Sequence, residues 1–237
     1  MVYVHHASCY LSLFEVRNKI KLMSRQDKTG KKLMKKFYLF LVGALMMSSC
    51  FSFKTTLYDL GLKNVEVPKN SKQQFSESML KTTSEDGVTM YSFEDDMIAI
   101  AWYATSTQFH FILRNKTNHS IKIPWDEVAY INPSGQSMRC IHSGVKLIDR
   151  NNAQAPTVIA KNSTLSDLLM PAEHIYYISG KYGGWRERSL FGEYKSQEEA
   201  KQSGLIGTKV SVLLPIMIEN VTNEYLFQFE LKDIIVK

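Results

Sequence analysis

Cysteine is scarce: three residues, Cys9, Cys50 and Cys140, serve a chain of 237, so a disulfide-stapled scaffold is excluded. Long apolar runs are also missing. The most apolar stretch, Phe37 to Met47, falls far short of the ~20 residues that a membrane-crossing helix needs. No GxxxxGK[ST], GxGxxG or GxSxG is present, which leaves nucleotide-binding and serine-hydrolase readings without a motif. Nor does the chain carry HxH, HExxH or CxxC spacing for a metal. Amphipathic helical periodicity is nearly absent as well.

A surplus of positive charge, +6 overall, is concentrated at one end. Residues Met1 to Cys50 hold nine Lys or Arg against two acids, whereas Phe51 to Lys237 hold twenty against twenty-one. The body of the chain is therefore near neutral, and no basic stripe is available to neutralise the phosphates of a nucleic acid.

The basic end has an internal order. Lys35-Lys36 precede the apolar run Phe37 to Met47, which is followed by Ser48-Ser49-Cys50. This is a charged n-region, a short h-region and a small-residue cleavage site. It resembles the lipobox of bacterial lipoproteins, in which the cysteine receives lipid and becomes the mature N-terminus. Ser49 and Cys50 match that pattern, while Met47 stands where Leu is usual. The resemblance implies cleavage before Cys50 and acyl chains on it. A lipid chain contributes about 0.8 kcal/mol per buried CH₂, so several chains hold durably where one does not. Residues 1–33 precede an n-region that is already complete, and they are read as an N-terminal extension arising from a start codon assigned too early, with translation beginning at Met34. Residue 51 is not Asp and no acidic run follows, so the expected location is the outer membrane, facing the periplasm.

Residues 50–84 are rich in Lys, Ser, Thr, Asn and Gln and are expected to form the lipidated N-terminus and a tether that becomes ordered near Phe75. From residue 85 to 237, short runs of β-branched and aromatic residues alternate with turn formers. Phe109, Phe111 and Leu113 alternate with His110, Ile112 and Arg114; Tyr225, Phe227, Phe229 and Leu231 alternate with Leu226, Gln228, Glu230 and Lys232. The Pro133-Ser134-Gly135 turn predicts a hairpin between Val128–Ile131 and Met138–His142. One short helix is predicted from Ser196, as its cap, to Ser203, closed by Gly204. Eight to ten such strands without βαβ alternation predict an all-β fold, an antiparallel β-sandwich of immunoglobulin-like architecture.

Several short motifs, Asn115-Lys116-Thr117, Ile123-Pro124-Trp125-Asp126, Gly135-Gln136-Ser137, His142-Ser143-Gly144-Val145-Lys146 and Asn162-Ser163-Thr164 with Asp167 and Pro171, lie between Met97 and Pro171. This stretch resembles a group of uncharacterised bacterial envelope lipoproteins and secreted β-domains, of Bacteroidetes type. The resemblance implies the fold and an envelope location, and no chemistry.

Candidate chemistry is weighed against plainer roles. Cys140 and His142 share a strand face if the period of two holds, but no oxyanion-forming segment adjoins them, so a buried thiol and a satisfied histidine are expected. His110, His119, His142 and His174 are scattered, and Asp95-Asp96 and Asp126-Glu127 abut turns. No catalytic residue, metal or cofactor is assigned.

Two functional readings follow: a lipid-anchored, non-enzymatic binding or assembly module that meets an envelope protein, peptide or glycan, and an envelope hydrolase whose site the sequence does not reveal. The first is preferred because sandwiches often serve as display scaffolds and no nucleophile–base spacing is visible, and its expected contact surface is the segment from Ser179 to Gly192. Its four glycines predict an exposed loop following a strand from Ile175 to Ile178, and Tyr182, Trp185, Arg186 and Arg188 are of the residue types enriched at binding hot spots. The plainer reading has Trp185 and Phe191 folding back to cap the core.

Overall fold

The computed structural model describes residues 56–67, 81–85 and 88–236. The expectations placed on the leader, on Cys50 and on ordering near Phe75 lie outside these residues. Among the described residues no helix is long and apolar enough to cross a membrane.

The fold is almost entirely antiparallel β. Strands β1 (Thr56–Glu66), β2 (Lys81–Glu85), β3 (Val88–Glu94), β4 (Ile98–Ala104), β5 (Phe109–Asn115), β6 (Ile121–Ile123), β7 (Ala129–Ile131), β8 (Ser137–His142), β9 (Thr157–Ile159), β10 (Thr164–Pro171), β13 (Lys209–Ile218) and β14 (Val221–Val236) build one sheet. Its path runs β1-β14-β13-β7-β8-β10-β5-β4-β3-β2, with β6 joining β13 and β9 joining β6. Strands β11 (Ile175–Ile178) and β12 (Gly184–Glu187) form a separate hairpin. The single α-helix among the described residues, α1, covers Gln197–Gln202, and Ser196 caps it by accepting a hydrogen bond from the Glu199 amide at 3.1 Å.

Strand β8 turns the sheet back on itself. Its first half, Ser137 to Arg139, pairs with β7, and its second half, Cys140 to His142, pairs with β10. The two halves of the sheet then face each other across an aromatic core. Trp102 of β4 meets Phe227 and Phe229 of β14 with ring centroids 5.2 and 5.6 Å apart, and Phe109 meets Phe229 at 5.3 Å. The ends of the path come close too: Tyr91 on β3, one strand in from β2, donates to the Asp59 carboxylate on β1 at 2.9 Å, so the sheet is nearly closed. A buried polar clasp ties the far edge of the core. Asp95 accepts the Met97 and Ile98 amides at 2.8 and 2.7 Å with one oxygen and the Tyr225 hydroxyl at 2.8 Å with the other. Turn formation, as the sequence implied, explains this acid.

The region expected as a tether contributes β1. It pairs with β14 from Thr56↔Val236 to Glu66↔Leu226 and buries Tyr58, Leu60, Leu62 and Val65. Among the described residues, strand structure thus already begins at Thr56, within the stretch expected as a tether. Strand propensity was concealed by Asp59, Gly61, Lys63 and Asn64, and by irregularities in register at Asp59/Leu60 and Leu62/Asn64 that break a period of two.

Candidate functional site

The glycine-rich segment is a hairpin rather than an irregular loop. Ile175 at its base is buried in a small cluster with Ile141, Met170 and Ala172, against which Val145, Leu147 and Trp185 pack. The register Tyr176↔Arg186 and Tyr177↔Trp185 then sorts the side chains by the pleat. Ile175, Tyr177, Trp185 and Glu187 share the inner face; Tyr176, Ile178 and Arg186 share the outer one. Three of the four glycines lie at or next to the turn, where the backbone requires them: Gly180 and Gly184 have φ of 111° and 136°, and the Gly183 amide donates to the Gly180 carbonyl at 2.9 Å. Outside the turn the strands are Ile, Tyr, Trp and Arg, and they hold a ladder.

The four residues singled out from the sequence fall in this hairpin and just beyond its end. Tyr182, at the tip, is 83% exposed, and Arg186 and Arg188 are exposed. Trp185 is half-buried, edge-on to Tyr177 at 5.3 Å and covered by the Arg150 guanidinium at 4.9 Å. Phe191 does fold back into the core, where its ring lies 5.1 Å from that of Tyr58. Sequence reading passed over three further members. Tyr176 and Ile178, at 40 and 44% exposure, lie on the outer face with Arg186, and Tyr177, 60% exposed, lies on the opposite face against Trp185. The adjacent apolar residues of Ile175–Ile178 were the available signal, because a strand with one buried face has no need of apolar residues on both.

Positive charge on this surface is held by rings and carbonyls. Arg188 lies 5.8 Å from the Tyr176 ring centroid and Lys181 lies 5.4 Å from that of Tyr182. Arg186 donates to the Trp185 and Tyr182 carbonyls at 2.9 and 3.3 Å. Among the described residues none of the three cations pairs with a carboxylate. Glu187, the nearest acid in the chain, is used inward, accepting from Thr107 at 2.7 Å and Gln108 at 3.1 Å.

An open cleft of about 670 Å³ lies beside the hairpin, lined by His142, Ser143, Val145, Asp149 and Gln154 among others. The loop that forms its wall also carries Arg150 and Leu147, so cleft and hairpin share one small core. The His142 ring stacks flat on Trp125 at 4.0 Å, and its Nδ1 lies 3.4 Å from Asp167, whose other oxygen accepts the Ser143 amide at 3.0 Å. Trp125 donates from Nε1 to Thr157 at 2.7 Å. Gln154 donates to the Cys140 carbonyl at 2.8 Å while its own amide donates to Asp126 at 3.1 Å, and Asp126 is ion-paired with Arg139. The motifs at Trp125-Asp126, at His142 to Val145 and at Asp167 thus converge in space.

No family model, curated protein or solved structure matches the chain.

The cleft therefore has to be judged on its own chemistry. Cys140 is fully buried, and loss of solvent pushes its thiol up to about 12, the reverse of what a nucleophile needs. His142 is held by its stack on Trp125, its buried Nδ1 has no hydrogen-bond partner although Asp167 lies 3.4 Å away, and among the described residues no hydroxyl or thiol is hydrogen-bonded to it. A histidine and a carboxylate lie near each other without a hydrogen bond between them and without a group they would activate. The other histidines serve elsewhere. His110 stacks on Tyr103 at 4.7 Å and His119 meets Glu219 at 3.1 Å; burial holds His110 and His174 below the usual imidazole range, with Arg188 adding to the effect at His174. Among the described residues no three His, Cys, Asp or Glu side chains gather as a metal site would require.

Proposed function

We propose that this protein is a lipid-anchored component of the bacterial cell envelope, held through Cys50, whose folded part is a non-catalytic binding or assembly module that presents the β11–β12 hairpin. The single observation that carries the binding reading is the outer face of that hairpin. Tyr176 and Ile178 stand at 40 and 44% exposure beside Arg186, on a two-stranded element fixed from beneath by Ile175 and Trp185. Aromatic and arginine side chains on a rigid support lose little conformational entropy on contact, which is why such residues dominate binding hot spots. The anchoring reading is supported by the order of Lys35-Lys36, the apolar run and Ser49-Cys50. Outer-membrane placement, facing the periplasm, belongs to the same proposal.

Two measurements on protein made in a bacterial host test it. The parent should partition into detergent and Cys50→Ala should not; retention of the mutant after a carbonate wash argues against the anchor. On the folded part, Tyr182→Ala and Arg186→Ala should leave the thermal midpoint within a degree or two of the parent while weakening association with envelope material. Trp185→Ala should cost less than the ~3–5 kcal/mol of a fully buried aromatic, because part of its ring is already in water. Full envelope association by the Arg186→Ala and Tyr182→Ala proteins would remove the hairpin from the contact surface.

A further inference from the structure

We infer that the outer face and tip of the β11–β12 hairpin dock on the anionic lipid headgroups of the membrane that holds the Cys50 lipid. The inference rests on the anchoring reading and names the partner of the surface just described. Its first support is charge. Lys181, Arg186 and Arg188 are exposed and lack a carboxylate partner among the described residues, and each basic side chain at an anionic membrane surface strengthens binding roughly fivefold. The second is the companion chemistry. Tyr176 and Tyr182 are amphipathic rings of the kind that settle at headgroup depth, and Ile178 adds apolar area without a deep insertion.

The third support is placement. The chain leaving β12 runs straight to the start of β1: Tyr58 shares a 2.5 Å hydrogen bond with Ser189, and the Tyr194 amide donates to Thr56 at 3.3 Å. Only residues 51–55 lie between Thr56 and Cys50, and so short a span reaches at most roughly 20 Å when fully extended. The hairpin leaves the body at the end where the anchor enters it. A patch this small binds weakly alone, but the anchor converts docking into an intramolecular event with a high effective concentration.

The test uses the full chain in protein-free vesicles of phosphatidylcholine alone or of an equal mixture with phosphatidylglycerol. The rate of amine acylation at Lys181 is followed by peptide mass, with Lys161 as the internal reference. Lys161 lies in the turn before β10, at the far end of the β5–β10 pairing from the hairpin. Docking requires that Lys181 react at least about fivefold more slowly on the anionic vesicles, that salt restore the rate, and that Arg186→Gln with Arg188→Gln abolish the protection while Lys161 stays constant. Equal Lys181 rates on both vesicles overturn it, as does protection that is equal on neutral lipid or that appears only in host membranes, where a protein would then be the occupant. Intact mass of the same sample reports the Cys50 lipid independently, so failure of the anchor and failure of the docking are told apart.

Discussion

With a thiol that ionises at about 12 in the core against 9.0 in the open chain, Cys140 ties the stability of the protein to alkaline pH. The folded state holds this proton more tightly than the unfolded state does. The corresponding stability is therefore fully present below pH 9 and is lost as the pH rises through 9 toward 12, by up to about 1.4 kcal/mol per pH unit. Tyr91, raised from 10.0 to about 12 by burial and then by Asp59, adds its own loss only above pH 10. The interval from pH 9 to 10 therefore reports Cys140. Denaturant midpoints should fall there in the parent and stay nearly flat in Cys140→Ala. That variant should start roughly 1 kcal/mol less stable for its small cavity and converge on the parent as the pH rises. Parallel curves for the two proteins across this interval would mean that the thiol is not so deeply held. The same residue illustrates what single positions disclose in a sequence. Cys140 and His142 looked like neighbours on one face, but the ring that His142 stacks on, Trp125, lies seventeen positions away on a different element, and nothing local marks that pairing.

Elements were legible where one face is apolar and the other polar. In β5, Phe109, Phe111 and Leu113 are buried while Ile112 and Arg114 are exposed, and β14 repeats the pattern with Tyr225, Phe227, Phe229 and Leu231. The α1 cap at Ser196 and the β7–β8 turn, with Gly135 at φ 81°, were equally plain, because turn and cap residues act through local backbone geometry. The β11–β12 hairpin was only half legible: Ile175 to Ile178 reads as a strand, but its ladder depends on pairing with Gly184 to Glu187, which the glycines concealed as a loop. That dependence is testable. A Cβ on Gly183 would lie 2.1 Å from the Ile178 carbonyl oxygen, a backbone atom that cannot move without opening the turn. Gly183→Ala should accelerate amide exchange at Tyr177 and Trp185 by an order of magnitude or more. The β13–β14 amides should keep their protection, because the hairpin is a separate sheet on its own small cluster. Unchanged exchange in the hairpin would show that the turn tolerates the methyl group.

At the scale of the whole molecule, the class of fold could be read from the chain but its closure could not. Closure depends on β8 changing partners midway and on β1 returning to β14, and both are pairings between residues far apart in sequence. The convergence of Trp125, His142 and Asp167 beside the cleft is of the same kind: the short motifs were visible singly and their meeting was not. The role of β1 gives the sharpest test of this arrangement. Tyr58, Leu60, Leu62 and Val65 are each about 5% exposed, and burial of four such side chains contributes roughly 6–12 kcal/mol, as large as the ~5–15 kcal/mol by which a whole domain is usually stable. Removing β1 also uncovers the backbone of β14 along most of its length, a long edge of the type that pairs with other chains. A chain beginning at Lys54 should thus be monomeric and unfold cooperatively, with near-ultraviolet dichroism from the buried Trp102 and Trp125. A chain beginning at residue 70 should lose that signal and elute as higher oligomers, although most of the strands expected from the sequence are still in it. If the shorter chain instead keeps the dichroism and the same thermal midpoint, β1 is an accessory to the sandwich and the tether extends as far as its composition first suggested.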